Sequence, residues 1–86
     1  MTEKEFIHAI EEELPMLEAG SLERGTEFRR IAGWDSLAGL MLLSAVDLRF
    51  GARVEPASVR RCRTVEELYQ LVTDAMKDAE TRGEEG

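Results

Sequence analysis

The 86-residue sequence contains one cysteine and no apolar run that approaches the roughly 20 residues needed to cross a bilayer. A single cysteine excludes an internal disulfide and favours a reducing compartment, so we expect a cytoplasmic protein that does not associate with membranes. The first ten residues, MTEKEFIHAI, lack the basic start, apolar centre and cleavage site of a secretion signal. With one histidine and no ordered loop of acids, the sequence also predicts no metal site.

Basic residues are scarce and unevenly placed along the chain. Eleven lysines and arginines stand against eighteen acids, and the resulting net charge of −7 argues against nucleic-acid binding. Residues 28–63 nevertheless carry seven arginines and three acids, a net charge of +4. Because no stacking aromatic residue lies within the arginine clusters 29–30 and 60–63, a solvated surface is the simpler interpretation of them.

Strand-like alternation is weak throughout, whereas apolar residues recur at helical spacing. Thr2 and Glu5 form a predicted capping box for a first helix, which Pro15 ends. Thr64 and Glu67 form a second predicted capping box, which opens the last helix. Helices therefore delimit both ends of the domain.

The middle of the chain holds a long loop and two further helices. Asp35 is a predicted N-cap and Gly51 a predicted stop for a second helix over residues 36–50, and a short third helix follows at residues 56–61. Residues 15–34 lack clean periodicity and form a predicted loop. We predict an all-α fold, a small four-helix bundle of three main helices and a short third one, with a long first loop. A chain of this length makes one domain, residues 1–78, followed by a flexible acidic tail, residues 79–86.

The predicted second helix is apolar nearly all the way round. Leu42, Val46 and Phe50 share one side, which we assign to the core. The opposite side carries Leu37, Leu40, Met41 and Leu48. A helix that is apolar on two sides is either fully buried or offers one side to a partner. Because so small a bundle has difficulty burying both, we expect the second side to be a docking surface; the alternative is that the long loop covers it.

Ser36 stands at the start of this helix and has three possible roles. A catalytic serine needs a nearby base, yet the only histidine, His8, lies in the first helix, and GWDSLAG is not the G-x-S-x-G elbow. An ordinary helix-start serine beside its Asp35 cap is the plainest interpretation. The third is a modification site, because the N–H groups and dipole at a helix N-terminus stabilise a covalently attached phosphate.

The chain resembles the acyl carrier proteins and the related peptidyl carrier domains over about residues 4 to 76. The resemblance rests on the first amphipathic helix, the long loop with Phe28, the segment GWDSL, the pair Phe50-Gly51 and the segment TVEEL. It implies that Ser36 is esterified by 4′-phosphopantetheine, which a phosphopantetheinyl transferase moves from coenzyme A. It also implies that the thiol of this arm carries an acyl group as a thioester. The protein would then be a non-catalytic, monomeric carrier.

The resemblance further implies which residues meet partners and cargo. Enzymes that load and process the acyl group would dock on the second helix at Asp35, Leu37, Met41 and Leu48. Candidate contacts for the acyl chain are Phe28, Val46, Val59, Cys62 and Leu68. Because Val59 and Leu68 are bulkier than the small residues of lipid-sequestering relatives, we expect a small pocket that leaves a long acyl chain outside.

One departure from the family concerns charge. Fatty-acid carriers place several acids along the docking side, whereas Met41 and Leu48 occupy two such positions here. This difference favours a stand-alone carrier in a specialised pathway, for polyketides, nonribosomal peptides or unusual lipids, that docks through apolar contact more than through charge. The alternatives are a peptidyl or aminoacyl carrier and a helical adaptor that never carries an arm.

Three further features have plain structural interpretations. Cys62 lies between two arginines, which favour a reactive thiolate, but a buried structural cysteine is the simpler expectation. Trp34 is expected to pack the end of the loop onto the second helix or to contact the arm. The acids at positions 11–13 are expected to be solvated helix surface.

Overall fold

The computed structural model describes the backbone of residues 2–85 and the side chains of residues 2–78. These residues form α1 (Glu3–Glu13), α2 (Ser36–Phe50), α3 (Pro56–Arg61) and α4 (Val65–Glu85), with one 3₁₀ turn at Phe28–Arg30. No strand occurs in the described chain. The predicted all-α fold, a small four-helix bundle with a short third helix and a long first loop, is therefore confirmed.

The helix boundaries follow the predicted capping residues. Thr2 Oγ1 accepts a hydrogen bond from the backbone N–H of Glu5 at 3.1 Å, and Asp35 Oδ1 accepts one from Ala38 at 3.0 Å. Gly51 ends α2 in the left-handed conformation with φ of +65°, which glycine adopts without a steric penalty. Pro56 occupies the first turn of α3, where its missing N–H has no cost.

The core lies between the three longer helices and is lined with fully buried apolar side chains, among them Phe6, Phe28, Leu14, Leu42, Leu68, Val46, Val65 and Val72. Leu42 and Val46 thus occupy the side of α2 that the sequence assigns to the core. Phe50 is only half-buried, and its ring centroid lies 5.6 Å from that of Phe6. As the last residue of α2, Phe50 covers the end of the core rather than filling it.

The long loop packs against α1 and the start of α4. Leu17, Leu22 and Phe28 are buried and attach the loop to the core. Backbone hydrogen bonds from Val65 N–H to the Thr26 carbonyl, at 3.0 Å, and from Glu66 to Arg24, at 2.9 Å, join it to α4. The loop leaves the outer leucines of α2 exposed, so the alternative in which it covers them is wrong.

Glu11 corrects one expectation from the sequence. Glu11 is predicted to be solvated, but it is only 9 % exposed. Both of its carboxylate oxygens accept hydrogen bonds from the loop. The backbone N–H of Gly20 donates to Oε1 at 3.0 Å, and that of Leu22 donates to Oε2 at 2.9 Å. The loop folds back over α1 and surrounds the carboxylate, which the sequence of α1 alone does not show. Its neighbour Glu12 is exposed as predicted.

Helix α4 continues through residues 79–85, most of the predicted acidic tail. The side chains beyond Asp78 and all of Gly86 lie outside the described residues. The flexibility of this tail stays a prediction.

Candidate functional site

Ser36 is the first residue of α2, and its side chain is exposed. The preceding residue Asp35 uses its side chain to bind the N–H of Ala38, and its carbonyl oxygen accepts from Gly39 at 3.2 Å. The N–H groups of Ser36 and Leu37 belong to the first helical turn, which has no intrahelical acceptor. An anion attached to Ser36 would therefore lie at the positive end of the α2 dipole.

A cavity of about 350 Å³ opens beside Ser36, between α2, α3 and the end of the long loop. The residues of its wall are mostly apolar: Trp34, Gly39, Leu40, Leu43, Pro56 and Val59. The polar residues that border it are Arg29, Asp35, Ser36 and Arg60. This volume is at the lower end of the range for ligand sites, roughly 300–1,000 Å³. The cavity can hold a slender, partly apolar group attached at Ser36.

Trp34 forms part of this cavity and also joins it to the core. Its ring meets that of Phe28 edge-on, with centroids 5.4 Å apart and planes at 70°. Trp34 therefore packs the end of the loop, as expected, and also faces the space beside Ser36. Its contact with an arm stays a prediction. Aromatic pairs in this geometry are favourable, so the wall of the cavity is held in place from behind.

The predicted docking residues are partly where the sequence places them. Leu37 and Leu48 are 62 % and 75 % exposed, and Leu40, which also borders the cavity, is 61 % exposed. Met41 is half-buried and packs against the core. At about 100° per residue, Met41 lies on the helix circumference between Leu37 and the buried Ala38. The open side of α2 is therefore formed mainly by its three exposed leucines.

The five predicted acyl contacts do not come together in this cavity. Only Val59 borders it, while Phe28 and Leu68 border a gap of about 10 Å³ within the core. Val46 and Cys62 are buried and border neither space. Their contact with an acyl chain stays a prediction that would require the core to open.

Sequence reasoning missed Gly39, Leu43 and Pro56 as parts of the cavity wall, and it placed Leu40 only on the outer side of α2. Gly39, Leu40 and Leu43 follow Ser36 at intervals of three, four and seven residues, so they share its side of α2. That spacing is visible in the sequence. The contribution of α3 depends on how α3 packs against α2 and has no local signal. Val59 was a candidate only through the family resemblance, and Pro56 was not a candidate.

The remaining reactive side chains stand apart from Ser36. Cys62 is buried, its Sγ donates to the Ser58 carbonyl at 3.4 Å, and burial raises the pKa of its thiol. A raised pKa keeps the thiol protonated and poorly nucleophilic, as expected of a structural cysteine. His8 is exposed, and its Nε2 lies 3.2 Å from Glu12 Oε1. It borders a surface depression on α1 that is separate from the cavity beside Ser36. The cavity therefore contains no histidine that could activate Ser36.

The described residues contain neither a grouped set of metal ligands nor a helix that could span a membrane. No three histidine, cysteine, aspartate or glutamate side chains there are grouped as a metal site would require. None of the helices in the described chain is both long and apolar enough to span a bilayer. The chain matches no protein-family model, and no curated protein or solved structure is significantly similar to it.

Proposed function

We propose that the chain is a stand-alone acyl carrier protein that bears 4′-phosphopantetheine on Ser36. The observation that carries the proposal is the position of Ser36, exposed at the N-terminus of α2 and at the edge of an apolar cavity. A hydroxyl there is accessible to a transferase, and the helix dipole favours the phosphodiester that results. The resemblance of GWDSL to the family's attachment motif supports the same assignment.

The residues around Ser36 fit such an arm. The phosphodiester would lie by the first turn of α2, and the cavity walls formed by Trp34, Leu40 and Val59 would contact the less polar part of the arm. The bound arm would supply a thiol, which carries the acyl group as a thioester. Asp35 keeps the first turn ordered by capping it, and it does not bind the arm's phosphate, because like charges repel.

The exposed leucines of α2 support a role in presentation to enzymes. Three such side chains lie on the open side of α2, and two of them, Leu37 and Leu40, are within about one helical turn of Ser36. This set, Leu37, Leu40 and Leu48, is the apolar patch. Partners would be a phosphopantetheinyl transferase and the enzymes that load and process the cargo. The scarcity of acids on α2 favours a specialised pathway, for polyketides, nonribosomal peptides or unusual lipids, over general fatty-acid synthesis. An aminoacyl or peptidyl cargo is the alternative within the family.

The test is the covalent loading of the full chain. Incubation with coenzyme A and a promiscuous phosphopantetheinyl transferase should add one phosphopantetheine, which peptide mass spectrometry should locate on Ser36. In this reaction Ser36 Oγ bonds to phosphorus and loses its proton, and 3′,5′-ADP leaves coenzyme A. The variant Ser36→Ala should not load, and Ser44→Ala, which changes another exposed serine of α2, should load like the wild type.

Unmodified wild-type protein, or loading that persists in Ser36→Ala, would overturn the carrier assignment. The first result would leave the helical adaptor, since the exposed leucines of α2 do not depend on an arm. Both variants should keep the wild-type free energy of unfolding within about 0.5 kcal/mol, because exposed substitutions away from packed groups have small effects.

A further inference from the structure

The described arginines divide into two groups. Those that contact a glutamate, at distances from 2.6 to 3.6 Å, are Arg24, Arg30, Arg49 and Arg63. Those without a carboxylate partner among the side chains of residues 2–78 are Arg29, Arg53, Arg60 and Arg61. The chain has eighteen acids, so these four guanidinium groups are unpaired because of where they lie and not because carboxylates are scarce.

Two of the unpaired arginines, Arg29 and Arg60, border the cavity beside Ser36. They come from different elements, the 3₁₀ turn and the last turn of α3, and both are exposed. Among the described side chains, Asp35 is the one acid that borders the same cavity, and it caps α2. Asp47 at the end of α2 and Glu55 before α3 do not border it. The cavity therefore has a cationic edge in a chain that is acidic as a whole.

The apolar patch adjoins this cationic edge. Leu40 belongs both to the patch and to the cavity wall. Leu37 and Leu48 are eleven residues apart, which places them on nearly the same side of α2 and about 16 Å apart along its axis. Single exposed leucines are ordinary. Three on one side of a helix, one of them in the wall of a cavity with an unpaired cationic edge, form a surface to which a partner of matching chemistry can bind.

We infer that this surface docks a partner protein whose contact region is apolar at its centre and bears carboxylates at its edge. The inference deepens the proposed function and rests on it, because a carrier's partner enzymes must come close to the arm on Ser36. The leucines supply apolar contact area, and Arg29 and Arg60 supply selectivity, because a partner edged with lysines would meet like charges. The sign of the charge on this carrier's docking surface is thus opposite to that of an acid-lined docking helix.

Charge also favours a protein over a lipid surface as the occupant. Helices that lie on anionic membranes are rich in lysine and arginine on their polar side. The only basic residue of α2 is Arg49, which is paired with Glu12 and Glu13, and the whole chain has a net charge of −7. An anionic bilayer would therefore repel most of the molecule, whereas a protein can place its carboxylates against the cavity edge alone.

The probes are two synthetic helical peptides with the same leucine face, one flanked by glutamates and the other by lysines. Trp34 is the single tryptophan of the chain and borders the cavity, so its fluorescence reports binding at this place. We expect the glutamate peptide to bind about tenfold more tightly at low salt, the effect of two exposed ion pairs. This preference should shrink at high salt, while the weaker apolar binding remains.

A matched pair of variants tests whether the preference for the glutamate peptide arises at the cavity edge. Arg60→Glu should remove the preference for the glutamate peptide or reverse it. Arg61→Glu is the control, because Arg61 is also exposed, unpaired and in the last turn of α3, but does not border the cavity. Both variants change the net charge equally, so only position distinguishes them. Arg61→Glu should keep most of the wild-type preference.

Equal binding of both peptides, or equal effects of Arg60→Glu and Arg61→Glu, would overturn the inference. So would a preference that is present without the arm and absent once Ser36 is loaded, because the arginines would then serve only the phosphate of the arm. Binding to phosphatidylserine vesicles but to neither peptide would identify a lipid surface instead. Mass spectrometric loading of Ser36 is scored separately, so the carrier assignment and the docking inference can fail independently.

Discussion

Arg24, Glu27 and Arg30 of the long loop lie in ion pairs, whereas the two arginines at the edge of the cavity beside α2 have no carboxylate partner among the described side chains. Arg24 contacts Glu3 and Glu66, and Glu27 contacts both Arg30 and Arg63. Across the cavity edge, Arg29 and Arg60 contact no carboxylate among the described side chains. The two regions also differ in apolar exposure, since the loop's leucines are buried and three leucines of α2 are not.

The difference separates residues that serve the fold from residues that are available to a partner. A paired charge already has its counter-charge, so a partner gains little by approaching it. Where an unpaired guanidinium lies near an exposed leucine, a partner can contact both the charge and the apolar side chain. Exposed ion pairs contribute little to stability, because solvent and salt screen them. The loop is therefore held chiefly by its buried apolar side chains, Leu17, Leu22 and Phe28, and by the Glu11 carboxylate.

The largest effect expected separates the two sides of α2. Leu42→Ala should lower the free energy of unfolding by about 2–5 kcal/mol, because Leu42 is fully buried and its truncation leaves a cavity. Leu40→Ala makes the same chemical change two residues away, and should cost less than about 0.5 kcal/mol because Leu40 is exposed. Urea unfolding followed by circular dichroism measures both. Similar losses in the two variants would show that the open side of α2 supports the fold.

An intermediate effect tests how the loop is attached. Glu11→Ala should lower the free energy of unfolding by about 1–3 kcal/mol, because it leaves the N–H groups of Gly20 and Leu22 without their acceptor. Glu11→Gln should lose less, since an amide oxygen can still accept one of these bonds. Glu12→Ala is the matched control and should lie within about 0.5 kcal/mol of the wild type.

Hydrogen exchange gives this test a local measurement. The amide hydrogens of Gly20 and Leu22 should exchange faster in Glu11→Ala than in the wild type. The exchange rates of the α2 amides should rise only by the amount that the loss of global stability accounts for. Unchanged protection at Gly20 and Leu22 would mean that the loop does not depend on the carboxylate.

The smallest effect concerns acid pH. Hydrogen bonds from Arg30 and then Arg63 lower the pKa of Glu27 below its ordinary value of 4.5. A carboxyl whose pKa is lower in the folded than in the unfolded chain stabilises the fold above the unfolded pKa. That contribution disappears as the pH falls through the folded pKa. Thermal melts should therefore show a smaller loss of Tm below about pH 4.5 in Glu27→Gln than in the wild type.

Glu23→Gln is the matched control for this loop carboxylate, because Glu23 lies in no ion pair among the described side chains. It should retain the wild-type dependence on acid pH. If Glu27→Gln also follows the wild-type curve, the exposed pairs of the loop contribute nothing measurable to stability.

Local chemistry made the helices predictable from the sequence. Thr2, Asp35, Gly51 and Pro56 act on backbone groups within a few residues of themselves, so their effects on helix boundaries can be predicted without tertiary structure. Helical spacing placed Leu37 and Leu42 on opposite sides of α2, but both sides are apolar. Only the packing of the long loop, which leaves Leu37 uncovered, decided that Leu37 is exposed. Ser36 was identified as a candidate site on local grounds, like the helix boundaries.

Contacts between distant segments were decided by tertiary structure. The burial of Glu11 depends on a loop that returns over α1, and the partial exposure of Phe50 depends on where the core ends. The cavity combines α2 with α3 and the loop end, so Val59 borders it while Cys62, three residues later, does not.

The sequence by itself determined the helices and the serine that begins α2, because capping and periodicity are local. Arg30 pairs locally, with Glu27 three residues before it. Only packing decided that Arg24, Arg49 and Arg63 find a carboxylate, because their partners are far away in the sequence and must meet them in space.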